Sequence, residues 1–238
     1  MSNNINIEGY LNYVNAPWGK LFYELLWHNL PCEGKRILDF GSGFGITANH
    51  FAGSNEVVAI EPNREMIENR LQTNEYQQMV GGIEKLCELQ NESFDIIFCH
   101  NVMEFMDNRE KLFQEFKRIL KPDGLVSIVK HNRLGKVMHK AVFENHVEDA
   151  LSLLRDGKDV SQNFGMINEY ELSELSSYCE GLFQISRIYG VRTFFGLQRN
   201  EFKNDSEWLQ KMYELEIAVE KIPEFQNIAY FHHVILEP

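Results

Sequence analysis

The chain is short of the features that would assign it to many functional classes. No apolar run in its 238 residues approaches the ~20 needed to cross a bilayer. Its polar start, Met-Ser-Asn-Asn-Ile-Asn, offers no basic stretch followed by an apolar one, so no secretory signal is expected. Cysteine is sparse: Cys32, Cys87, Cys99 and Cys179 are scattered and form no C-x-x-C pair. That argues against a disulfide framework or a zinc site, and predicts buried thiols in a reduced cytoplasmic protein. Positive charge is also scarce, with 23 Lys and Arg against 35 Asp and Glu, a net charge of −12. Broad nonspecific polyanion binding needs many Lys/Arg–phosphate contacts and is disfavoured, although one local basic patch is compatible with the total. No internal repeat and no low-complexity tract occurs.

What the chain does contain is an alternation of strand and helix patterns in an ordinary globular composition, 44% hydrophobic and 24% charged. Residues 17–30 carry apolar positions 18, 21, 22, 25, 26 and 30 at helical spacing. Strands read at about 35–40, 56–60, 76–80, 94–99 and 124–130, and Phe94–Cys99 is nearly all apolar, as a strand covered on both faces should be. Helices read at about 45–52, 63–72 and 108–120, the last stopped by Lys121-Pro122-Asp123-Gly124. Such alternation with short links implies an α/β fold with a doubly wound parallel sheet. After Lys130 the rhythm changes: a long helix over 134–156, a polar loop at 161–167, a helix at 169–180, a strand near 182–192, a helix near 205–221 and a final strand over 227–236. The segments 131–166 and 193–224 are too long for simple connections. With the N-terminal helix (1–30, a lid) they read as substrate-side cap insertions on a single domain spanning 1–238.

The most informative stretch is Ile37-Leu38-Asp39-Phe40-Gly41-Ser42-Gly43-Phe44-Gly45. A second apolar run, Val57–Ile60, ends in Glu61 and is followed by Pro62. Strand, glycine turn, helix and a second strand with an acidic tip make half of a nucleotide-binding unit. Glycines let backbone approach a ligand, and the acidic tip can accept both hydroxyls of a ribose. The spacing narrows the ligand. A dinucleotide turn would place its third glycine at Ile46, and no Lys-Ser/Thr of a phosphate loop follows. The ligand is therefore a nucleoside without a pyrophosphate. The D-x-G-x-G-x-G pattern resembles motif I of the class I S-adenosylmethionine-dependent methyltransferases. That resemblance implies a Rossmann-like, seven-stranded, mostly parallel sheet whose last two strands form an edge hairpin, and S-adenosylmethionine as cofactor.

Ligands of open α/β sheets bind beyond the carboxyl ends of the strands. On that basis Gly41, Ser42 and Gly43 lie against the ligand, Asp39 orders the turn and an ammonium group, and Glu61 takes the ribose unless it only caps the next helix. By the resemblance, Ile83 and Glu84 flank and bind adenine, the alternative being an ordinary helix start. Met66 covers the other adenine face or belongs to the core, and His100 touches the methionine part or caps its strand. The segment after the fourth strand, His100-Asn101-Val102-Met103-Glu104, lacks both the Asn-Pro-Pro-Tyr of amino-group methylases and the Pro-Cys nucleophile of base-C5 methylases. Pro31-Cys32 precedes the first strand and reads as a loop.

Beyond the cofactor half, the chain is similar to the bacterial enzymes that methylate the carboxyl group of 5-carboxymethoxyuridine in tRNA. The similarity runs from about Gly19 to the C-terminus through Gly19-Lys20-Leu21, Leu26-Trp27, Phe98–Glu104, Lys121–Leu125, Asn132 to Met138-His139, Gly190-Val191-Arg192 and Glu214-Leu215-Glu216. It departs at Phe22 and Ala229, where arginines would be expected, and at His131, where an aromatic would be. A carboxylate acceptor is already ionised and needs no general base. It needs a cationic anchor, for which Arg192 is the candidate, with Asn132, Tyr189 and Tyr230 shaping the pocket; otherwise Arg192 is a surface arginine at a strand end. The methyl acceptor is thus a tRNA wobble nucleoside or a small-molecule acid or amine, with no membrane and no metal partner. The intervals of His131, His139 and His146 do not share one helical face. A noncatalytic cofactor-binding protein would have a blocked acceptor pocket, and the displaced third glycine counts against a nicotinamide oxidoreductase.

Overall fold

The computed structural model describes residues 7–30, 32–156, 160–161, 165–166 and 168–238; the polar start, Pro31 and most of the loop expected over 161–167 lie outside the described residues. The strands are β1 Arg36–Phe40, β2 Glu56–Glu61, β3 Gln77–Val80, β4 Phe94–His100, β5 Leu120–His131, β6 Val160–Ser161, β7 Gly165–Met166, β8 Gln184–Val191 and β9 Phe231–Glu237. Seven of them form one mixed sheet in the order β3-β2-β1-β4-β5-β9-β8. β6 and β7 pair with each other, antiparallel, inside the segment expected to be loop. The helices are α1 Ile7–Asn15, α2 Pro17–His28, α3 Ile46–Phe51, α4 Arg64–Glu68, α5 Arg109–Ile119, α6 Arg133–Met138, α7 Val147–Asp156, α8 Leu172–Tyr178, α9 Ser206–Val219 and α10 Pro223–Gln226. No helix among the described residues is long and apolar enough to cross a membrane.

The chain divides into two compact units, 31–129 with 170–187 and 234–238, and 1–30 with 130–169 and 188–233. In the first, β1 pairs in parallel with β2 and β4, β2 with β3, and β4 with β5. This is the doubly wound parallel pattern expected from the alternation. Asp39 is opposite Ala59 on one side and Phe98 on the other, so successive strands end at one edge. Ile37, Leu38, Ile60, Ile97, Phe98, Phe113, Phe116 and Ile128 are fully buried between the layers. Each such side chain contributes roughly 1.5–3 kcal/mol of burial free energy. Lys121–Gly124 form a bulge within β5, whose pairing with β4 jumps from Phe94↔Leu120 to Ile96↔Leu125. The expected stop is therefore a looped-out strand segment, pinned by Lys121 Nζ on Asp95 Oδ1 at 2.8 Å.

The second unit corrects the sequence reading in one place that matters. The periodicity over 134–156 predicts a single long helix, but α6 gives way to a wide π turn at His139–Phe143 and then a break before α7. Asn145 adopts a left-handed φ of 57°, which ends the helical run. Widened turns of this kind are frequent at functional sites, and this one begins at His139. Smaller corrections concern ends and thiols. The helix expected over 63–72 stops at Glu68, and the last strand begins at Phe231 rather than 227. Cys99 and Cys179 are buried as expected, but Cys32 is only half-buried and Cys87 is exposed. α1 carries apolar Ile7, Tyr10, Leu11 and Val14 at helical spacing and falls within the expected N-terminal helical lid, whereas α10 and the short 3₁₀ turns are too brief to show periodicity.

α6 packs so tightly that a Cβ on Gly135 would stand 2.1 Å from the Ala229 carbonyl oxygen and 2.6 Å from the Tyr230 Cα. Backbone cannot yield as a flexible side chain can. Gly135→Ala should destabilise the protein by about 1–3 kcal/mol, read as a lower urea midpoint with an unchanged slope. An unchanged midpoint would mean that this contact is looser than the geometry indicates.

Candidate active site

In the first unit the glycine turn sits at the carboxyl end of β1. Gly41, Gly43 and Gly45 have φ of +77°, +55° and +67°, a region L side chains rarely adopt. Two of them are closed in by protein: a Cβ would lie 2.2 Å from Val102 Cγ2 at Gly41 and 2.2 Å from the Tyr76 hydroxyl at Gly45. Gly43 is different. The nearest atom to its added Cβ is Met66 Sδ at 3.9 Å. The middle glycine therefore keeps an open face beside a buried methionine.

Glu61, at the tip of β2, ties this turn to the next one. Its Oε2 accepts from Gly43 N–H and its Oε1 from Asn63 N–H, both at 2.8 Å. Asn63 in turn caps α4 by accepting from Glu65 N–H and Met66 N–H, while Pro62 is exposed. Burial raises the Glu61 pKa, and the two N–H bonds oppose the shift. Asp39 is buried and raised to about 7, by burial first and by the charge of Glu61, against one hydrogen bond from Ala48 N–H. Two carboxyl groups in a desolvated place favour a cationic ligand. Several buried polar atoms here have no hydrogen-bond partner among the described residues: Asp39 Oδ2, Ser42 Oγ and Asn101 Oδ1. Buried polar atoms are normally satisfied, so an orphaned set at one strand edge fits a polar ligand.

The remaining cofactor candidates lie at the ends of β3 and β4. Ile83 begins a 3₁₀ turn and is half-buried, and Glu84 is exposed with its Oε1 accepting from Gly82 N–H at 2.8 Å. That bond holds the Glu84 carboxyl below its usual pKa. His100 closes β4, with Nε2 2.8 Å from Ser127 Oγ and its ring 5.3 Å from that of Phe98. Asn101, next in sequence, takes a left-handed φ of 56° and donates its N–H to Val129 O. No pattern in the sequence marks Asn101; its left-handed backbone and orphaned amide oxygen arise only in the fold.

The second unit holds the acceptor candidates. Asn132 caps α6 through Leu134 N–H and donates both amide hydrogens, to Asn227 O at 2.9 Å and Ala229 O at 2.8 Å. Its side chain is thus bonded to backbone at both ends of the amide. Tyr189 is buried against His233. Arg192 has a left-handed φ of 64°. Its guanidinium lies over the Tyr230 ring at 4.4 Å and near Phe195 at 5.7 Å, and donates to the Tyr13 hydroxyl at 3.2 Å. His139 Nε2 stands 3.3 Å from Arg192 and its Nδ1 3.2 Å from Glu144, so the Nδ1–H tautomer satisfies both neighbours. Burial first, then Arg192, Lys203 and Lys140, push His139 down to about 3, so it is neutral at pH 7. His131 ends β5 and His146 lies in the break before α7; His131 and His139 both pack on the Tyr230 ring, and His146 Nδ1 stands 3.6 Å from the Glu144 carboxylate that His139 also faces. Among the described residues no group of three or more His, Cys, Asp or Glu converges on a metal position.

Comparison with known proteins follows the same outline. A methyltransferase domain family model matches residues 38–128. A ubiquinone biosynthesis O-methyltransferase from Glaesserella parasuis serovar 5 is 34% identical across 82% of this chain and 79% of its own. The chain belongs to the class I S-adenosylmethionine-dependent methyltransferases. Its cofactor is S-adenosylmethionine, a cation that fits the orphaned Asp39 Oδ2 and the desolvated carboxyl pair. A second relative of this methyltransferase, the tRNA 5-carboxymethoxyuridine methyltransferase of Escherichia coli K12, is 23% identical over 94% of this chain and 90% of its own. The fold matches an S-adenosylmethionine-dependent methyltransferase from Mesorhizobium loti with a TM-score of 0.61 at 14% identity, covering 94% and 100% of the two chains.

Asp39 gives the methyltransferase a pH signature. A carboxyl raised by folding keeps its full stabilising contribution below its unfolded pKa and loses it as pH rises through the folded value. The window here runs from 3.8 to about 7. Asp39→Asn keeps an acceptor for Ala48 N–H but cannot ionise. Its unfolding free energy relative to wild type should therefore climb across that window, by on the order of 2–4 kcal/mol, and level off above it. A pH-independent difference in denaturant titrations would show that Asp39 ionises normally.

Proposed function

We propose that the chain methylates the carboxylate of 5-carboxymethoxyuridine at the wobble position of tRNA. The observation that carries this reading is the Arg192 guanidinium: it is held over Tyr230 and hydrogen-bonded to Tyr13, yet forms no ion pair with a carboxylate among the described residues. A cation so placed favours an anionic acceptor. The Escherichia coli relative named for 5-carboxymethoxyuridine supports it, because that similarity spans 94% of the chain, variable segments included.

S-adenosylmethionine, when bound, supplies an activated methyl group on a sulfonium sulfur. Gly41, Ser42 and Gly43 would lie against it, Asp39 and His100 would face its methionine part, and Glu61 would use its remaining lone pairs for the ribose hydroxyls. Ile83 and Met66 would bracket the adenine, Glu84 would reach its amine, and Pro62 would shape the Glu61–Asn63 turn. On the acceptor side, Arg192 and Tyr13 would orient the carboxylate, Tyr230 would support the guanidinium, and Asn132 would hold the loop behind them. A carboxylate arrives ionised, so the residues need only align it and keep water away. His139, neutral and accepting from Arg192, keeps a competing charge out of the site.

One observation favours a second reading, methylation of a hydroxyl on a small molecule. The Glaesserella parasuis relative, named as a ubiquinone biosynthesis O-methyltransferase, has the higher identity, 34% over 82% of this chain. A hydroxyl must lose its proton during transfer, and His139 at about 3 is a poor base for that.

Nucleoside mass spectrometry of tRNA from a strain lacking this protein separates the two. Loss of the methyl ester on the wobble uridine supports the first reading, and an unchanged nucleoside profile overturns it. The cofactor assignment has its own check. Glu61→Ala should weaken S-adenosylmethionine binding by roughly 10- to 150-fold in calorimetry, from charge-assisted hydrogen bonds of ~1.5–3 kcal/mol. Unchanged affinity would remove Glu61 from the ribose.

A further inference from the structure

Lys203 is an electrostatic anomaly in the second unit. It is 1% exposed, yet its ammonium has one hydrogen-bond partner, Asn200 Oδ1 at 2.9 Å, and no ion pair with a carboxylate among the described residues. Its remaining neighbours are aromatic: the Phe143 ring at 5.0 Å and the Trp18 ring at 5.8 Å. A buried ammonium with a single acceptor is desolvated at substantial cost. Proteins usually relieve such a charge with a counter-ion or an additional ligand.

No carboxylate nearby supplies that relief. Glu144 is bonded to His139 Nδ1 at 3.2 Å and lies 3.9 Å from Lys140 Nζ. Glu216 is buried and accepts from the N–H groups of Thr193, Phe194 and Phe195 at 2.8, 2.8 and 3.0 Å. That carboxylate fixes the turn that follows Arg192. Instead, Lys203 is linked to a second cation, Arg192, which forms no ion pair with a carboxylate among the described residues although it lies in the field of Glu216. Phe143, under the Lys203 ammonium, stacks at 4.8 Å on the His139 ring, whose Nε2 stands 3.3 Å from the Arg192 guanidinium. The field of Arg192 also reaches Lys203 and lowers its pKa to about 8, after burial as the larger cause. Both cations act on the His139 ring and repel each other, so both favour negative charge nearby.

We propose that Lys203 and Arg192 form one oxyanion site, in which Lys203 supplies a second cationic contact to a carboxylate or phosphate group of the methyl acceptor. The proposal deepens the carboxylate reading above and rests on it for the acceptor's identity, but the site itself requires only an oxyanion. Arg192 presents a planar fork suited to two oxygens, and Lys203 a compact point charge. Their π-rich surroundings, Tyr230, Phe195, Phe143 and Trp18, stabilise both cations without neutralising them.

The test titrates the full chain with inorganic phosphate and, separately, acetate at fixed ionic strength, followed by calorimetry. Saturable binding of at least one probe is expected. It should weaken about tenfold or more in Lys203→Met and in Arg192→Met, while affinity for S-adenosylhomocysteine stays within about twofold. Preference for acetate or phosphate identifies which oxyanion the site takes. Lys203→Met should not destabilise the protein, since an apolar side chain of similar volume replaces an uncompensated charge. If that variant fails to fold, Lys203→Gln is titrated in its place. Wild-type binding of neither probe, or undiminished binding in the folded Lys203 variant, would overturn the proposal. Anion binding that behaves as expected alongside unchanged tRNA would retain the site and discard the tRNA reading. Lost tRNA methyl ester with undiminished anion binding in the Lys203 variant would do the opposite.

Discussion

The Glu61 carboxylate holds the cofactor half in register. One oxygen is fixed by Gly43 N–H and the other by Asn63 N–H, so a single side chain at the tip of β2 joins the turn after β1 to the cap of α4. The parallel pairing of β1 with β2 makes this possible, because it brings Phe40 opposite Ile60 and sets both strand ends level. With the turn pinned on one side and packed against Val102 and Tyr76 on the others, Gly43 is left with an open face. Met66 is positioned by the same chain of contacts, through Asn63. The open face of the turn thus follows from a carboxylate placed where two loops would otherwise drift apart.

Most of that half was legible in the sequence, for a physical reason. β1, β2 and β4 are apolar on both faces, and each strand is punctuated by glycine, proline or an acidic tip, so pattern and position agree. What the pattern could not carry was side-chain commitment. Glu84 reads as an adenine ligand, and one of its oxygens accepts from Gly82 N–H, which holds the side chain while leaving acceptor capacity free. Asn132 reads as a pocket residue, yet its amide is saturated by Asn227, Ala229 and Leu134. The 134–156 stretch has unbroken helical periodicity, and the break at Asn145 depends on one left-handed residue that periodicity does not register. Lys203 had no signal at all, since a lysine in a polar run ordinarily reads as solvated.

The environments of the two groups of candidates are opposite in sign. Around β1 and β2, burial raises two carboxyl groups, Asp39 and Glu61, and leaves Asp39 Oδ2 without a partner among the described residues. Around the π turn, burial and mutual repulsion depress His139 and Lys203, and Arg192 stands among aromatic rings. Desolvation is the larger cause in each case, so both places would interact strongly with a ligand of the complementary charge. A sulfonium cofactor and an anionic acceptor are the pair that such sorting would select.

This local sorting also explains how an acidic chain could act on an anionic acceptor. A net charge of −12 governs long-range encounter, which is screened beyond about 8–10 Å at physiological salt. Recognition at contact distance depends instead on a few desolvated groups. Lys203 is buried between Trp18 and Phe143, and Arg192, half-buried, lies against Phe195 and Tyr230. Such a site would bind one oxyanion selectively and the general run of polyanions poorly. Specificity would then come from the cost of leaving the buried Lys203 ammonium without an anionic partner, which an oxyanion of the right shape removes.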